Sequence, residues 1–260
     1  MDQPEMFPEL ERFCVFVGEP RSGHSVLGTL INAHRNALIS HNLDVLDLLR
    51  SGLGRADILQ RIRERDRWMA RRNREIGGYR YEVPGTWLGW DDAVRVIGDK
   101  RAGATSRYLY EEPDLLSRLQ ETIGLPLCVI HHVRNPWDNI SSICTRKTLG
   151  QERTLEETTD YYFQMLEGCV RGLSAMDPSM TLLRTYHEDM IRDPETELPR
   201  IFAHLGLPLD EAFLGHCLRF IHPAPRQTRH DVNWPAGLIA DIESRIRRYG
   251  FLDRYAFEMA

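Results

Sequence analysis

What the sequence lacks narrows the field first. Its five cysteines (Cys14, Cys128, Cys144, Cys169 and Cys217) are scattered, odd in number and free of any C-x-x-C pair. That pattern predicts reduced thiols in a cytoplasm and argues against a zinc cluster; no bound metal is expected. No apolar run approaches the roughly 18–20 residues that span a bilayer, so no transmembrane segment is expected. The opening stretch, MDQPEMFPELER, is acidic and lacks a signal-peptide core, which predicts a cytoplasmic protein. Excess positive charge is missing too: 33 Lys and Arg stand against 38 Asp and Glu, a net charge of -5. A general nucleic-acid binder needs a basic surface, so nucleic acid is not an expected partner, although a local basic pocket stays open. No internal repeat or low-complexity linker divides the chain. Its 260 residues suit one large α/β domain with a substantial core.

What is present is an alternation of short buried strands and amphipathic helices. RFCVFVG (12–18), NALIS (36–40), RVIGD (95–99), LCVIHHV (127–133) and TLLRTYHED (181–189) read as strands, the last running into a turn. HSVLGTLINAH (24–34), LDVLDLLR (43–50), PWDNISSICTRK (136–147), 154–175, DPETELPRIFAHLG (193–206) and 235–249 read as helices, with Pro136 and Pro194 in first turns and Gly206 and Gly250 as stops. Strands alternating with helices predict an α/β fold of three layers, α/β/α, around a central, mostly parallel sheet. Residues 55–76 predict one long helix carrying eight arginines. These arginines either form a solvated face with intrahelical pairs, such as Glu64 near Arg67, or make an arm that attracts an anionic substrate or partner. YRYEVPGTWLGW (79–90) is aromatic and broken by Pro and Gly, and reads as a hairpin or loop. Tyr79, Tyr81, Trp87 and Trp90 there either line a pocket or simply pack.

One further absence is local. In VGEPRSGHS (17–25), Gly18 and Gly23 have the G-x-x-x-x-G spacing of a phosphate loop, and Ser25 stands where a Walker loop puts its magnesium-binding hydroxyl. The lysine that should follow Gly23 is replaced by His24, and a positive charge appears instead at Arg21. Strand, Gly-containing turn and helix are the context of an anion cradle, because amides at a helix N-terminus have no intrahelical acceptor. Without the lysine, hydrolysis of a triphosphate is disfavoured. A second motif, HHVRNPWDNISS (131–142), puts Arg134 at a strand end and Ser142 eight residues later in a helix. Strand C-terminal ends gather at one sheet edge, so an Arg fork and a hydroxyl there predict a second phosphate site. His131 and His132 are neighbours in a strand and point to opposite faces, so they do not chelate one ion together.

The pair GEPRSGHS and VRNPWDNISS resembles the two donor motifs of the PAPS-dependent sulfotransferases: P-[KR]-S-G-T-T for the 5′-phosphosulfate and R-[ND]-P-x-D-x-x-x-S for the 3′-phosphate. TYHEDMIRDPETELPRIFAHLGLP is similar to the family's Y-E-D-L…D-P…F-L-G-h-P segment, and PRQTRHDVNWP (225–235) is similar to its late loop over the 3′-phosphate. The resemblance covers ordered landmarks from residue 13 to about 250 and implies a P-loop-like fold in a single domain, with 51–95 a helical or loop insertion shaping the acceptor pocket. It implies PAPS as co-substrate, 3′,5′-ADP (PAP) as product and no metal. By the same resemblance, Arg21 and the amides of Ser22, Gly23, His24, Ser25 and Val26 hold the phosphosulfate. Arg134 and Ser142 select the 3′-phosphate, with Arg226, Thr228 and Arg229 as further candidates, and Tyr186 contacts adenine. His41 is the leading base, with loop ordering as its alternative and Asp44 as fallback. Lys100 stabilises the transferring group, or else is an exposed lysine or a structural pair with Asp99. The departure at His24, where the family has Thr, leaves that side chain without an assigned role. The acceptor is a hydroxyl or amine of a small molecule, glycan, lipid or peptide. Two rivals stay open: a small-molecule kinase on the same architecture, and a non-catalytic binder of PAP or another nucleotide.

Overall fold

The computed structural model describes residues 7–76, 78–86, 93–146 and 153–258. In chain order the first half runs β1 (Arg12–Val17), α1 (His24–Asn32), β2 (Ala37–His41), α2 (Val45–Arg50), α3 (Arg55–Ala70), β3 (Glu75–Ile76), β4 (Tyr79–Arg80), β5 (Val96–Lys100), α4 (Ala102–Glu111) and α5 (Leu115–Ile123). The second half runs β6 (Leu127–Val133), α6 (Pro136–Cys144), α7 (Leu155–Ser174), β7 (Thr181–Tyr186), α8 (His187–Arg192), α9 (Pro194–Leu205), α10 (Glu211–Phe220) and α11 (Ala236–Ile246), with short 3-10 turns at Thr228–Asp231 and Gly250–Leu252. Five strands form one sheet in the order β2-β5-β1-β6-β7, and every described pairing in it is parallel.

The sheet is buried on both faces, which is why its strands read as continuous apolar runs. Phe13, Val15 and Val17 of β1 point into a core shared with Leu46, Ile58, Leu109 and Leu119, from α2 to α5. Cys14 and Phe16, the alternate residues, point into a second core with Leu27 and Ile31 of α1 and Ile201 and Phe202 of α9. The period-two alternation thus feeds two helical layers, giving the expected α/β/α arrangement. A close approach between α4 and α7 depends on Gly168, where a Cβ would run into the Ser106 carbonyl.

The elements differ from the sequence-based expectation in three respects. The arginine-rich helix stops at Ala70 rather than 76. Asn73 and Arg74 take positive φ values of 50° and 52°, and the buried Arg74 turns back to grip Asp66 at 2.6 and 3.1 Å. The chain then forms the small β3–β4 hairpin. After Tyr186, the expected turn is the short helix α8. Helices α4, α5 and α10 fall in stretches where the motifs above place no element.

Candidate active site

All parallel strands end at one edge of the sheet, and the turns that follow β1, β2, β5, β6 and β7 meet there. They enclose a cleft of about 450 Å³. The β1–α1 turn is its floor. Gly23 ends that turn at φ 92°, and a Cβ there would collide with the His187 imidazole. Ser106 of α4 pins the start of the turn, accepting from the Gly18 amide at 3.0 Å and donating to the Gly18 carbonyl at 2.8 Å. Asn139 of α6 braces its middle, donating to the Pro20 carbonyl at 2.7 Å and to Ser22 Oγ at 2.8 Å. The Val26 amide, expected in the anion cradle, is instead spent inside the helix, donating to the Gly23 carbonyl at 3.0 Å.

The two donor-type motifs meet directly. Arg21 Nε donates to Ser142 Oγ at 3.1 Å across 121 residues of sequence. Arg134 donates through Nη1 to the Arg21 carbonyl at 2.9 Å and through Nη2 to the Arg226 carbonyl, while its buried Nε has no hydrogen-bond partner among the described residues. Burial is the main cause that lowers the pKa of both guanidinium groups, and Arg146 adds its repulsion at Arg21. Cations packed together out of water in this way are stabilised by an anion.

Lys100, at the end of β5, reaches the loop from the side. Its Nζ donates to Ser25 Oγ at 3.0 Å and to Asn42 Oδ1 at 2.7 Å, and lies 3.4 Å from His41 Nε2. A fixed ammonium therefore stands at the hydroxyl where a Walker loop carries its metal. Burial pushes the Lys100 pKa down to about 7, with Arg101 and Arg65 assisting and Asp99 opposing. Asp99 does not pair with Lys100. Its carboxylate accepts from Ser40 Oγ at 2.7 Å and from the amides of Leu43 and Asp44 at 3.0 and 2.7 Å, so it caps the turn that presents Asn42. Adjacent strand residues face opposite sides, which separates the two roles.

The other expected site residues divide. His41 is not part of the cleft wall; Tyr81 and Lys100 stand in front of it. Its ring packs on Tyr81 at 4.3 Å, and burial, Lys100, Arg65 and Arg101 hold its pKa down to about 3, so it is neutral at physiological pH. Asp44 faces Arg101 at 3.4 Å rather than the cleft. His24 turns its ring beneath the loop, with Nε2 3.3 Å from the Val17 carbonyl and edge contacts to Phe16 and His132 at 6.1 and 5.6 Å. Its burial keeps it neutral, so the side chain supports the turn from below. Tyr186 is also turned away, covered by the Arg254 guanidinium at 4.2 Å; the next residue, His187, lines the cleft instead. Thr228 and Arg229 are buried against α6: Thr228 Oγ1 donates to the Asp138 carbonyl, and Arg229 Nη1 grips the Asp138 carboxylate, both at 2.7 Å. Neither lines the cleft, and Arg226 is exposed in a pair with Asp231 at 2.9 Å. The late loop therefore docks on α6 and meets the cleft through Arg134.

The remaining wall consists of Arg101, Arg107, Arg146, Tyr79, Tyr81 and Tyr161. None of the α3 arginines lines it; Arg65 of α3 instead donates to the His41 carbonyl at 2.8 Å, and Arg61 pairs with Glu64 at 3.5 Å. Trp87 and Trp90 lie outside the described residues. A second, more open groove of about 620 Å³ runs along α7 and α11. Its walls carry Glu157, Asp160 and Glu167 beside Arg153, Arg245 and Arg248, and no residue of the β1–α1 turn, so it is separate from the anion cradle.

Beneath the turn, Glu19, His131 and Cys169 bring ligand-type atoms within 4.8 Å of one another, all buried. Arg184 Nε donates to His131 Nδ1 at 3.1 Å, which makes Nδ1 the acceptor and leaves the proton on Nε2. An imidazole in that tautomer has no lone pair to offer a metal at Nε2. His132 points to the opposite face, with Nδ1 2.7 Å from Thr185 Oγ1.

Among solved structures, the fold is similar to the sulfotransferase domain of the Synechococcus PCC 7002 olefin synthase, with a TM-score of 0.57 at 16% identity over 95% of this chain and 98% of that one. It is also similar to the sulfotransferase domain from the curacin biosynthetic pathway (TM-score 0.57, 14% identity, 93% of this chain and 97% of that one). Sulfotransferase STF9 from Mycobacterium avium gives a TM-score of 0.54 at 15% identity over 97% of this chain and 79% of its own. At such identities the likeness is one of fold. Comparison with curated protein sequences finds no match. No helix among the described residues is long and apolar enough to cross a membrane. Residues 14–211, well over half of the sequence, match the Sulfotransferase family, and the chain belongs to that family.

Proposed function

We propose that this sulfotransferase moves the sulfuryl group of PAPS onto a hydroxyl or amine of its acceptor and releases PAP. The observation that carries the reading is the 3.1 Å contact between Arg21 and Ser142, which joins two anion-holding motifs in one cleft. Two such centres suit a donor with phosphate at both ends of a ribose. The residues fit it: Arg134 keeps a buried Nε with no acceptor among the described residues, Arg21 is a cation already largely removed from water, and Lys100 is a buried amine whose charged form an anion favours.

In the proposed step, the acceptor oxygen attacks sulfur while the bond from sulfur to the bridging phosphate oxygen breaks. The electron pair and the negative charge leave with the phosphate. Arg21, Lys100 and the amides of Ser22 to Ser25 stabilise that charge without having to reorganise. Lys100 at Ser25 does so as a fixed cation, which separates this site from a magnesium-dependent kinase. The acceptor's proton goes to His41, which burial and cations hold neutral and therefore able to accept it. The donor's negative charge offsets the cations that depress His41, so its basicity rises when the donor is present. Tyr81, packed on the His41 ring, must yield for the acceptor to approach.

Calorimetric titration with PAP in metal-free buffer, run beside ATP with Mg²⁺, tests the donor. PAP binding with little response to Mg-ATP is expected, and the reverse would overturn the reading. Turnover with PAPS then separates an enzyme from a silent binder. His41→Ala is expected to keep PAP affinity and lose turnover.

A further inference from the structure

The cleft is more basic than its donor requires. Six cations line it (Arg21, Lys100, Arg101, Arg107, Arg134 and Arg146), with no Asp or Glu among the described lining residues. The chain as a whole is acidic, at -5, so this concentration is local. Arg21, Lys100 and Arg134 are tied to the β1–α1 turn and are accounted for by the donor. Arg101, Arg107 and Arg146 are not.

Those three line the rest of the cleft, at α4 and just beyond the end of α6, and Arg146 lies near enough to Arg21 to lower its pKa. Arg101 and Arg107 flank the first turns of α4, where Gly103 and Ala104 leave the cleft open beside them. Arg146 follows α6, one helical turn beyond Ser142, and covers the Tyr79 ring at 5.3 Å. Arg107 lies over Tyr108 at 4.9 Å and also interacts with its hydroxyl, which engages part of its N–H edge. Arg101 makes a long contact to Asp44, at 3.4 Å. Stacking on a tyrosine holds a guanidinium in place and leaves its N–H edge available. An edge of that kind matches a carboxylate, sulfate or phosphate by paired hydrogen bonds. Tyr79, Tyr81 and Tyr161, on the same wall, suit a hydroxylated ring.

Resting on the proposed donor, we infer that the acceptor carries an anionic group of its own, held by Arg107 and Arg146 with Arg101 at the rim, on a hydroxylated ring bearing the nucleophile. The sequence-based alternative put this attraction on the arginines of α3. The geometry moves it to α4 and the end of α6.

The test uses the full chain saturated with PAP and two fluorescent probes that differ by one charge, methylumbelliferyl glucuronide and methylumbelliferyl glucoside. The glucuronide is expected to bind about tenfold more tightly, the difference one charge-assisted hydrogen bond supplies. Arg107→Ala and Arg146→Ala should bring the ratio close to one, and Arg107→Lys should retain part of it, because the charge stays while the fork is lost. A ratio near one in the wild type, a ratio that survives both alanine substitutions, or no binding of either probe at millimolar concentration would overturn the inference. PAP affinity of Arg107→Ala, expected to match the wild type, shows that the fold and donor site are intact. If PAP itself fails to bind, the donor reading falls. The probe pair titrated onto PAP-free wild type and Arg107→Ala then still reports on this wall.

Discussion

The two walls of the cleft are held by different means. On the donor side nearly every group is fixed by a hydrogen bond to another part of the same site: Arg21 to Ser142, Arg134 to the Arg21 carbonyl, Asn139 to Ser22, Ser106 to Gly18. On the acceptor side, the described arginines rest mainly on aromatic faces. Tyr79, over half exposed at 54%, belongs to a two-residue strand. Preorganised donors stabilise developing charge because they do not move during the reaction. A wall held by stacking can adjust to the shape of what it binds. Rigidity therefore belongs where the chemistry is constant, and looseness where the ligand varies.

The contrast can be broken hardest by acid. Beneath the donor side, His24, His131, His132 and His187 are buried and kept neutral chiefly by desolvation, and His41 beside Lys100 is depressed too. A histidine with a folded pKa below its unfolded value contributes its full stability above about pH 6.5 and loses it as pH falls. For His131 and His132, both near 3, the loss between pH 6.5 and 5 is about 3 kcal/mol together. Glu19 has the opposite sign. Burial raises it to about 7, so its contribution declines as pH rises from 4.5 to 7. Asp44 and Asp138, also raised by burial, share that sign, but the five histidines outweigh the three carboxyls and make acidification destabilising. Thermal melts should show Tm falling steeply below pH 6, with PAP binding lost in the same range. A flat profile from pH 7 to 5 would mean that these rings are hydrated.

Next in size is the latch of the late loop. Asp138 and Arg229 are almost fully buried, at 4% and 3% side-chain exposure, and Asp138 also accepts from the Arg229 amide at 2.8 Å. Asp138→Ala leaves a buried guanidinium without its carboxylate, at a cost of about 3–5 kcal/mol. Denaturant unfolding should register that loss. Arg226→Ala, which removes an exposed pair, should cost less than about 1 kcal/mol. Equal losses would mean that the loop is not latched through α6.

Substitutions in the cleft itself give smaller effects on folding and larger ones on function. Arg21→Ala should lower turnover by about 10²–10³-fold, as loss of one preorganised donor does. Arg134→Ala should weaken PAP about tenfold or more and 5′-AMP far less. Equal losses for both nucleotides, measured by calorimetry, would detach Arg134 from the 3′-phosphate.

What was legible in the sequence follows the same division. β1, β5 and β6 are buried on both faces, so their apolar runs announce them. Arg21, Arg134 and Ser142 lie in short motifs whose spacing is itself the signal. Ser106, Asn139 and Asp99 carried no such mark, because each works through a partner far away; Ser106 and Gly18 are 88 residues apart. Helix α4 was obscured by its composition: AGATSRYLYE buries Tyr108 and Leu109 but few other large apolar groups, so its period is faint. Thr228 and Arg229 have the right chemistry for a phosphate, and only the fold reveals that Asp138 occupies them. At the end of β7 a shift of one residue exchanges the two faces, which is why Tyr186 faces Arg254 and His187 takes the cleft.

The finest test of the contrast concerns one proton. Lys100 has a pKa of about 7 in the unliganded protein, because burial disfavours its charge. An anion bound in the β1–α1 turn favours the charged form and raises that value. Above pH 7 binding must therefore take up a proton, and affinity must fall as pH rises, by at most about tenfold per unit. The window from about pH 7.5 to 9 isolates the effect, because phosphate groups with a second pKa near 6 are fully ionised there. Calorimetry of PAP in buffers of different ionisation enthalpy should reveal the uptake, and Lys100→Met should remove both the uptake and the slope. On the acceptor wall, Arg107 is not among the neighbours that shift Lys100. Arg107→Ala should accordingly leave the slope as it is. A slope that persists in Lys100→Met would assign the proton to another group and sever Lys100 from the rigid side of the cleft.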